Sequence, residues 1–222
     1  MRAANPLLLA ALLCSPAAAA PGASLAFVSG RVTVETPSGA RAGRTGEPLA
    51  SGDAVATGAD GTAIIATADG SRLKLRAESR IVLTLPAPDS PATVAFLSLG
   101  GVFAKVAKRA GQDFRVRTQD AVAAVRGTEF FTAFGRGRGR RRDLWVCVQE
   151  GVVAVGSDAS ARTLRVPAGR GVLLRSGREL TRPQAYDWTK ALNWNMDPAA
   201  GKVADKTDLD AAYTDLLDQD YR

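Results

Sequence analysis

The sequence predicts an all-β body, many short strands in a twisted solenoid-like or sandwich-like winding, followed by a short helical tail. Three observations carry this. Apolar residues make up 46% of the 222 and aromatics only 6%, with 22 glycines, which suits β-branched strands and tight turns better than aromatic-cored helices. From Ser24 to about Arg182, apolar residues alternate in short runs broken by glycine. From residue 183 onward the alternation gives way to Ala, Leu, Asp and Lys at helical spacing.

Taken in order, "RVTVE" (31–35) puts Val32 and Val34 on one face of a strand. "TAIIATADGSRLKLRAESRIVLTL" (62–85) reads as strand, Asp69–Gly70 turn, strand, short break and strand, because Asp-Gly between alternating runs is a strong hairpin signal. Within it Leu73 and Leu75 alternate with Arg72, Lys74 and Arg76, predicting one core face and one solvated face. "PAPDSP" (86–91) is a loop, and "ATVAFLSLGGVFAKVAK" (92–108) gives two runs about Gly100–Gly101. "DFRVRT" (113–118), "DLWVCVQ" (143–149), "VVAVGS" (152–157) and "GVLLRS" (171–176) complete roughly a dozen strands. A faint echo links "SGRVTV" (29–34) to "EGVVAV" (150–155), and "LASGDAV" (49–55) to "VPAGRGV" (166–172), as wound β-units would show.

In the tail, residues 183–222, Asp187 or Thr189 is placed to cap a short helix through about Asn195. Asp208 opens a second helix whose Leu209, Ala212, Tyr213, Leu216 and Leu217 form an apolar stripe, expected to dock on the chain's own β-body. The tail holds eight Asp against four Lys or Arg. The body before it, residues 21–182, carries +10, so the two could face each other, or the body could meet anionic envelope polymers.

Residues 1–20 read as a secretory leader: Arg2, an apolar run from Pro6 to Leu13, then the small residues Ala17 to Ala20. Cleavage after Ala19 fits better than after Ala20, which would leave Pro21 next to the cut, and Leu13 argues against lipidation at Cys14. The apolar run falls short of the roughly 20 residues a membrane helix needs, and no later run reaches that length. The expectation is a periplasmic or secreted protein in which Cys147 is left as a lone, buried small hydrophobe.

The chemistry of catalysis is thin. With no histidine, Ser-His-Asp and Cys-His machinery and the commonest transition-metal ligand are missing, and one mature cysteine builds no zinc-thiolate site. "GRGRGR" lacks the flanking strand and helix of a dinucleotide fingerprint. Acid pairs such as Asp53 with Asp60, or Glu129 with Glu150, are conceivable glycosidase carboxylates, but most of the aspartates stand in turns where a side chain caps its own backbone. The expectation is a non-enzyme with no cofactor and no metal.

The most distinctive stretch is "DFRVRTQDAVAAVRGTEFFTAF" (113–134). Its Val116, Thr118, Ala121, Ala124, Val125, Arg126, Gly127, Thr128, Glu129 and Phe130 resemble the signature of the FecR domain family, and "LASGDAVATGADGTAIIATADGSRLKL" (49–75), "LWVCVQEGVVAV" (144–155) and "VPAGRGV" resemble its flanking elements in order over about 25–175. Thr118–Gln119 stands where many members have Thr-Pro. The resemblance implies an exported all-β domain (24–182) used for protein contact, signalling or scaffolding in the envelope. The family's membrane-anchored, sigma-regulating members do not match this chain's organisation, so that role is not carried over. Two readings of Arg126–Phe130 stand. In the structural one, Gly127 permits positive φ, Thr128 bonds the backbone locally and Arg126 pairs with an interior carboxylate such as Glu129 or Glu150. In the functional one, Arg126 contacts a partner or an anionic ligand.

"FGRGRGRRRDLW" (134–145) holds five arginines and three glycines and reads as a hairpin loop. Its Arg136, Arg138, Arg140, Arg141 and Arg142 are either a solvated tip or an anionic contact, to an envelope polymer or to the acidic tail. Export makes nucleic acid an unphysiological partner, although phosphate contacts would form in vitro.

Overall fold

The structure, a computed structural model, describes residues 22–108, 113–136, 142–160 and 162–220. Strand alternation needs a second layer against each apolar face, and the chain supplies it by folding over on itself at corners. A four-strand unit does this three times. The first is Ala23–Ser29 (β1), Val32–Thr36 (β2), Gly39–Ala42 (β3) and Pro48–Leu49 (β4). After Ala54–Thr57 (β5) and Thr62–Thr67 (β6) comes the second: Arg72–Leu75 (β7), Arg80–Thr84 (β8) and the two halves of Thr93–Lys105 (β9). After Phe114–Arg117 (β10), Ala121–Val125 (β11) and Glu129–Arg136 (β12) comes the third: Asp143–Glu150 (β13), Val152–Ser157 (β14), Thr163–Pro167 (β15) and Gly171–Arg175 (β16). In every unit the outer strands pair antiparallel in one ladder (β1–β4, β7–β9, β13–β16), and the inner strands pair antiparallel in the other (β2–β3, β8–β9, β14–β15).

Two ladders result, joined through β9. Ladder A runs β4-β1-β6-β7-β9-β12-β13-β16 and ends on Glu179–Leu180 (β17), whereas ladder B runs β3-β2-β5-β8-β9-β10-β11-β14-β15. All these neighbours are antiparallel except β9 and β10. Between the ladders lies one apolar core fed from both, including Leu25, Ile65, Leu75, Val102, Phe130 and Val146 from A and Val34, Val55, Ile81, Phe114, Val116 and Val155 from B. Each such side chain contributes about 1.5–3 kcal/mol on burial. The winding is thus both solenoid-like in repeat and sandwich-like in layering.

Corners need a left-handed backbone at the turn from A to B. Gly30 (φ 66°) supplies it in the first unit, Gly151 (φ 84°) in the third and, unusually, Glu78 (φ 53°) in the second. The echo between 29–34 and 150–155 is therefore structural, since both cross the same corner. The pairing of 49–55 with 166–172 is not, because the former passes from A to B and the latter from B to A. A clearer repeat lies at the opposite corner: "DAVATGADGT" (53–62) and "DAVAAVRGT" (120–128) both lead from ladder B to ladder A.

The two runs expected about Gly100–Gly101 are one continuous strand, β9, which bends there and serves both ladders. Gly100 has φ 89°, and a Cβ on it would lie 2.3 Å from Ser79 Oγ. Ser79 Oγ also accepts from the Gly101 N–H at 2.8 Å, tying the bend to the β7–β8 corner. The Asp69–Gly70 hairpin forms as expected, with Asp69 accepting from Ser71 N at 3.0 Å.

The expectation of a solvated outer face on β7 is overturned. Lys74 is fully buried, because the tail lies across the outside of ladder A. There Ile64, Phe103, Phe131, Trp145, Cys147 and Leu173 pack against Tyr186, Leu192, Met196 and Val203 in a second apolar cluster. The buried Cys147 belongs to it, and burial pushes its thiol pKa up. The tail is less helical than expected. Asp187–Ala191 is a short 3-10 turn without a side-chain cap, Pro198–Ala200 a second, and only Leu209–Asp220 (α1) is α-helix. Asp208 does cap α1, its Oδ1 accepting from Asp210 N (2.9 Å) and Ala211 N (3.1 Å). Leu209, Ala212 and Tyr213 face the β-body; the side chains of Leu216 and Leu217 lie outside the described residues. Among the described residues no helix is long and apolar enough to cross a membrane.

Candidate interaction surfaces

The Arg-Gly-Thr stretch forms the corner between β11 and β12. Gly127 holds φ 61°, and a Cβ on it would come 2.8 Å from Lys108 Cβ, so glycine is needed there for conformation and for space. Phe130 is fully buried in the core. Thr128 is buried too and fixes the corner through its backbone, its carbonyl accepting from Val106 N at 2.8 Å. Its hydroxyl makes no hydrogen bond, which corrects the expected local side-chain bond. Its methyl instead sits where a Cβ on Gly151 would come within 2.8 Å, so the corners at 127 and 151 pack on each other.

Arg126 departs furthest from expectation. Its side chain is 61% exposed and reaches Asp113 at 3.5 Å; no interior carboxylate holds it. Glu129 pairs across the strands with Lys105 at 3.1 Å, and Glu150 lies opposite it on β13, exposed. The other acid pair is split between turns: Asp53 accepts from Ala50 N at 2.9 Å, and Asp60 from Arg31 N at 3.2 Å.

Arg126 stands at one end of the outer face of ladder B, which no other element among the described residues covers. Register places Arg115, Ala124, Ala154 and Arg165 side by side on β10, β11, β14 and β15. The next row brings Phe96, Arg117, Val122, Gly156 and Thr163 together. The first row lies in a trough of about 510 Å³ that Lys108, Arg126, Gly127 and Val152 also line, with Arg115 and Arg165 on its two walls, and the second row continues the same outer face beyond it. Asp113 is shared by Arg115 (3.5 Å) and Arg126, and Asp158 lies 3.9 Å from Arg117, all about half exposed. Phe96 and Val152, both 37% exposed, are two of the three large hydrophobics exposed among the described residues. Alternation in "FRVRT" already pointed Arg115 and Arg117 outward. Arg165 stands outward in "TLRVP" (163–167), which alternates but is short and ends on a proline, a weak strand signal beside its neighbours.

The outer face of ladder A is closed by polar as well as apolar contacts. Lys74 Nζ donates to the carbonyls of Asn193 and Asn195 and sits 4.2 Å from the centre of the Phe103 ring. Arg72 donates to the Met196 carbonyl at 3.0 Å, and Arg76 donates to the Thr207 carbonyl at 2.6 Å and forms an ion pair with Asp205 at 2.7 Å. Tyr213 on α1 donates to Asp143, whose other oxygen accepts from Ser176 N. Beside α1 a cleft of about 520 Å³ opens onto Trp145, Leu173 and Arg76. Desolvation draws the Lys74 pKa down from 10.5 to about 8 against the pull of Asp205 and Glu129. The acidic tail does meet the basic body, at Arg76.

Of the loop arginines, Arg142 is exposed and donates to the Gly135 carbonyl at 2.9 Å, closing the hairpin base. Arg136 ends β12; its side chain, together with Arg138, Arg140 and Arg141, lies outside the described residues.

Two crystal structures of a candidate anti-sigma factor from Parabacteroides distasonis ATCC 8503 share the fold, each with a TM-score of 0.53. They are 18% and 16% identical to this chain and cover 62% and 75% of it. The chain spans 63% of the length of the first and 90% of the second. No curated protein matches the chain. The FecR protein family matches residues 53–154, from the Asp that opens the first Asp-Ala-Val-Ala corner to the trough floor at Ala154. Residues 53–154 of this chain are therefore similar to a FecR domain, with the Arg-Gly-Thr corner inside the matched span and one outer face left open by the described residues.

Proposed function

We propose that this protein is a non-catalytic interaction module of the cell envelope, working in signalling or as a scaffold after export through residues 1–20. The observation that carries the proposal is the asymmetry of the FecR sandwich: its own tail seals the outer face of ladder A, while the outer face of ladder B stays open with cationic and apolar side chains mixed. A face left uncovered in this way suits contact with another molecule. The FecR match and the fold shared with candidate anti-sigma factors support a regulatory use. Crosslinking the protein in its native envelope, with mass spectrometry of captured chains and of its own N-terminus, tests the reading. A defined protein partner and a mature chain starting at Ala20 or Pro21 are expected; a chain retained whole in the cytoplasm refutes it.

The +10 body favours a second reading, attachment to anionic envelope polymer. Retention on isolated cell wall that disappears at high salt, with no protein crosslink, would select that reading, because exposed charge pairs are screened by ions.

A further inference from the structure

We infer that the trough on ladder B is a docking groove for an extended acidic segment of a partner polypeptide, one that alternates carboxylate and small apolar side chains. The inference rests on the module reading above and names the chemistry of its partner.

Its geometry is set by register. Arg115 and Arg165 stand three strand spacings apart, about 14 Å, with only Ala124 and Ala154 between them. That width admits one extended chain lying along the strands. Side chains on the lower face of such a chain meet Ala124 and Ala154 in the trough, and Val122 and Gly156 in the row that continues it, a floor that is apolar but too small to fill the space itself. Side chains directed to the walls meet Arg115 and Arg117 on β10 and Arg165 on β15, and Lys108 and Arg126 close one end. Against these five cations the described residues offer Asp113 and Asp158, at 3.5–3.9 Å and exposed, so incoming carboxylates need displace only weak pairs. The planar guanidinium suits bidentate carboxylate recognition.

Charge complementarity alone would serve a polysaccharide or a polyphosphate equally. The floor separates them: a uniformly polar polymer gains nothing from Val122, Val152 and the two alanines, whereas an alternating peptide buries a methyl or isopropyl group on them at each second residue. The tail of this chain does not compete, being held across the opposite face.

The test uses the mature full chain and a fluorescein-labelled peptide of alternating Asp and Val, followed by anisotropy at low and moderate salt. Binding is expected, and a Lys-Val peptide should not bind. Arg115→Ser with Arg165→Ser should weaken binding by about tenfold or more. Ala154→Gln, which leaves every charge in place and only fills the floor, should weaken it comparably. Serine replacements of the five hairpin arginines should leave it unchanged. Melting temperatures within a few degrees of the parent show that the variants fold. Full binding by Ala154→Gln, or equal displacement by inorganic polyphosphate, would overturn the inference in favour of a generic polyanion patch. A trough variant that keeps the native envelope crosslink would overturn the groove while leaving the module reading standing; absence of any protein crosslink from the parent chain defeats the module reading, and the groove as a partner site with it.

Discussion

Replacing Lys74 with Met should change how stability depends on pH. Lys74 is fully buried against Phe103 and the carbonyls of Asn193 and Asn195, and its pKa falls from 10.5 to about 8, first through desolvation. Because the folded pKa is the lower one, the unfolded chain binds more protons between pH 8 and 10.5, and stability attributable to this group rises across that window. A shift of this size corresponds to about 3 kcal/mol. Cys147 works in the opposite direction: burial raises its thiol pKa, so its contribution is lost as pH climbs through the ordinary thiol range. Both variants keep Cys147, and subtraction removes it. Guanidinium unfolding of the parent and Lys74→Met at matched pH from 7 to 10.5 gives the difference curve. The parent should gain about 3 kcal/mol relative to the variant over the window, most of it above pH 8. A flat or falling difference would show that water reaches the ammonium, and that the tail does not seal this face.

Three further outcomes follow from the corners and the tail. Arg126→Ala should lower stability by about 1 kcal/mol or less, as an exposed pair with Asp113 would, while Gly127→Ala should cost more, about 1–2 kcal/mol from its left-handed backbone before the contact with Lys108 is added; chemical denaturation reads both. Gly30→Ala should destabilise strongly, its Cβ falling 2.2 Å from the Asp60 carbonyl, whereas Glu78→Gly at the equivalent corner should be neutral or raise the melting temperature, since glycine relieves the left-handed cost. Ending the chain after Asp208 should shift tryptophan emission to the red and increase dye binding, because Trp145 loses Leu209 and Tyr213, while the sandwich still unfolds cooperatively.

Strand alternation made the interior legible. Val32 and Val34, Leu73 and Leu75, and Val153 and Val155 all point inward as their spacing predicts, because each strand shows its inner face by its own period of two. Corners were partly legible. Gly30 and Gly151 announce themselves, but the second corner rests on Glu78, where a residue that usually avoids positive φ is held by its surroundings. The bend at Gly100–Gly101 looked like a turn because a glycine pair within alternation signals the same thing whether the chain reverses or merely changes ladder.

What covers an outer face cannot be read from the strand that displays it. Arg72, Lys74 and Arg76 look solvated on β7, and Arg115 and Arg117 look the same on β10, since alternation says only that these side chains leave the core. Their fates differ because of residues more than a hundred positions away: the Asn193, Asn195, Met196 and Thr207 carbonyls and the Asp205 carboxylate reach the first set, and nothing among the described residues covers the second. The tail carried the clue in its composition. Trp188, Trp194 and Tyr186 are an unusual load of aromatics for a segment so rich in Asp, and this chain has only three tryptophans. Such residues need an apolar surface to lie on, and Phe103, Phe131 and Trp145 supply one on ladder A, with ring centroids 4.1 Å apart for Trp145–Trp188 and 5.2 Å for Phe103–Trp194. On ladder B the described residues form no such ring cluster, and Ala124, Ala154 and Gly156 stand in the rows of the trough instead. The tail therefore has one face on which it can settle, and the arginine trough is left for something else.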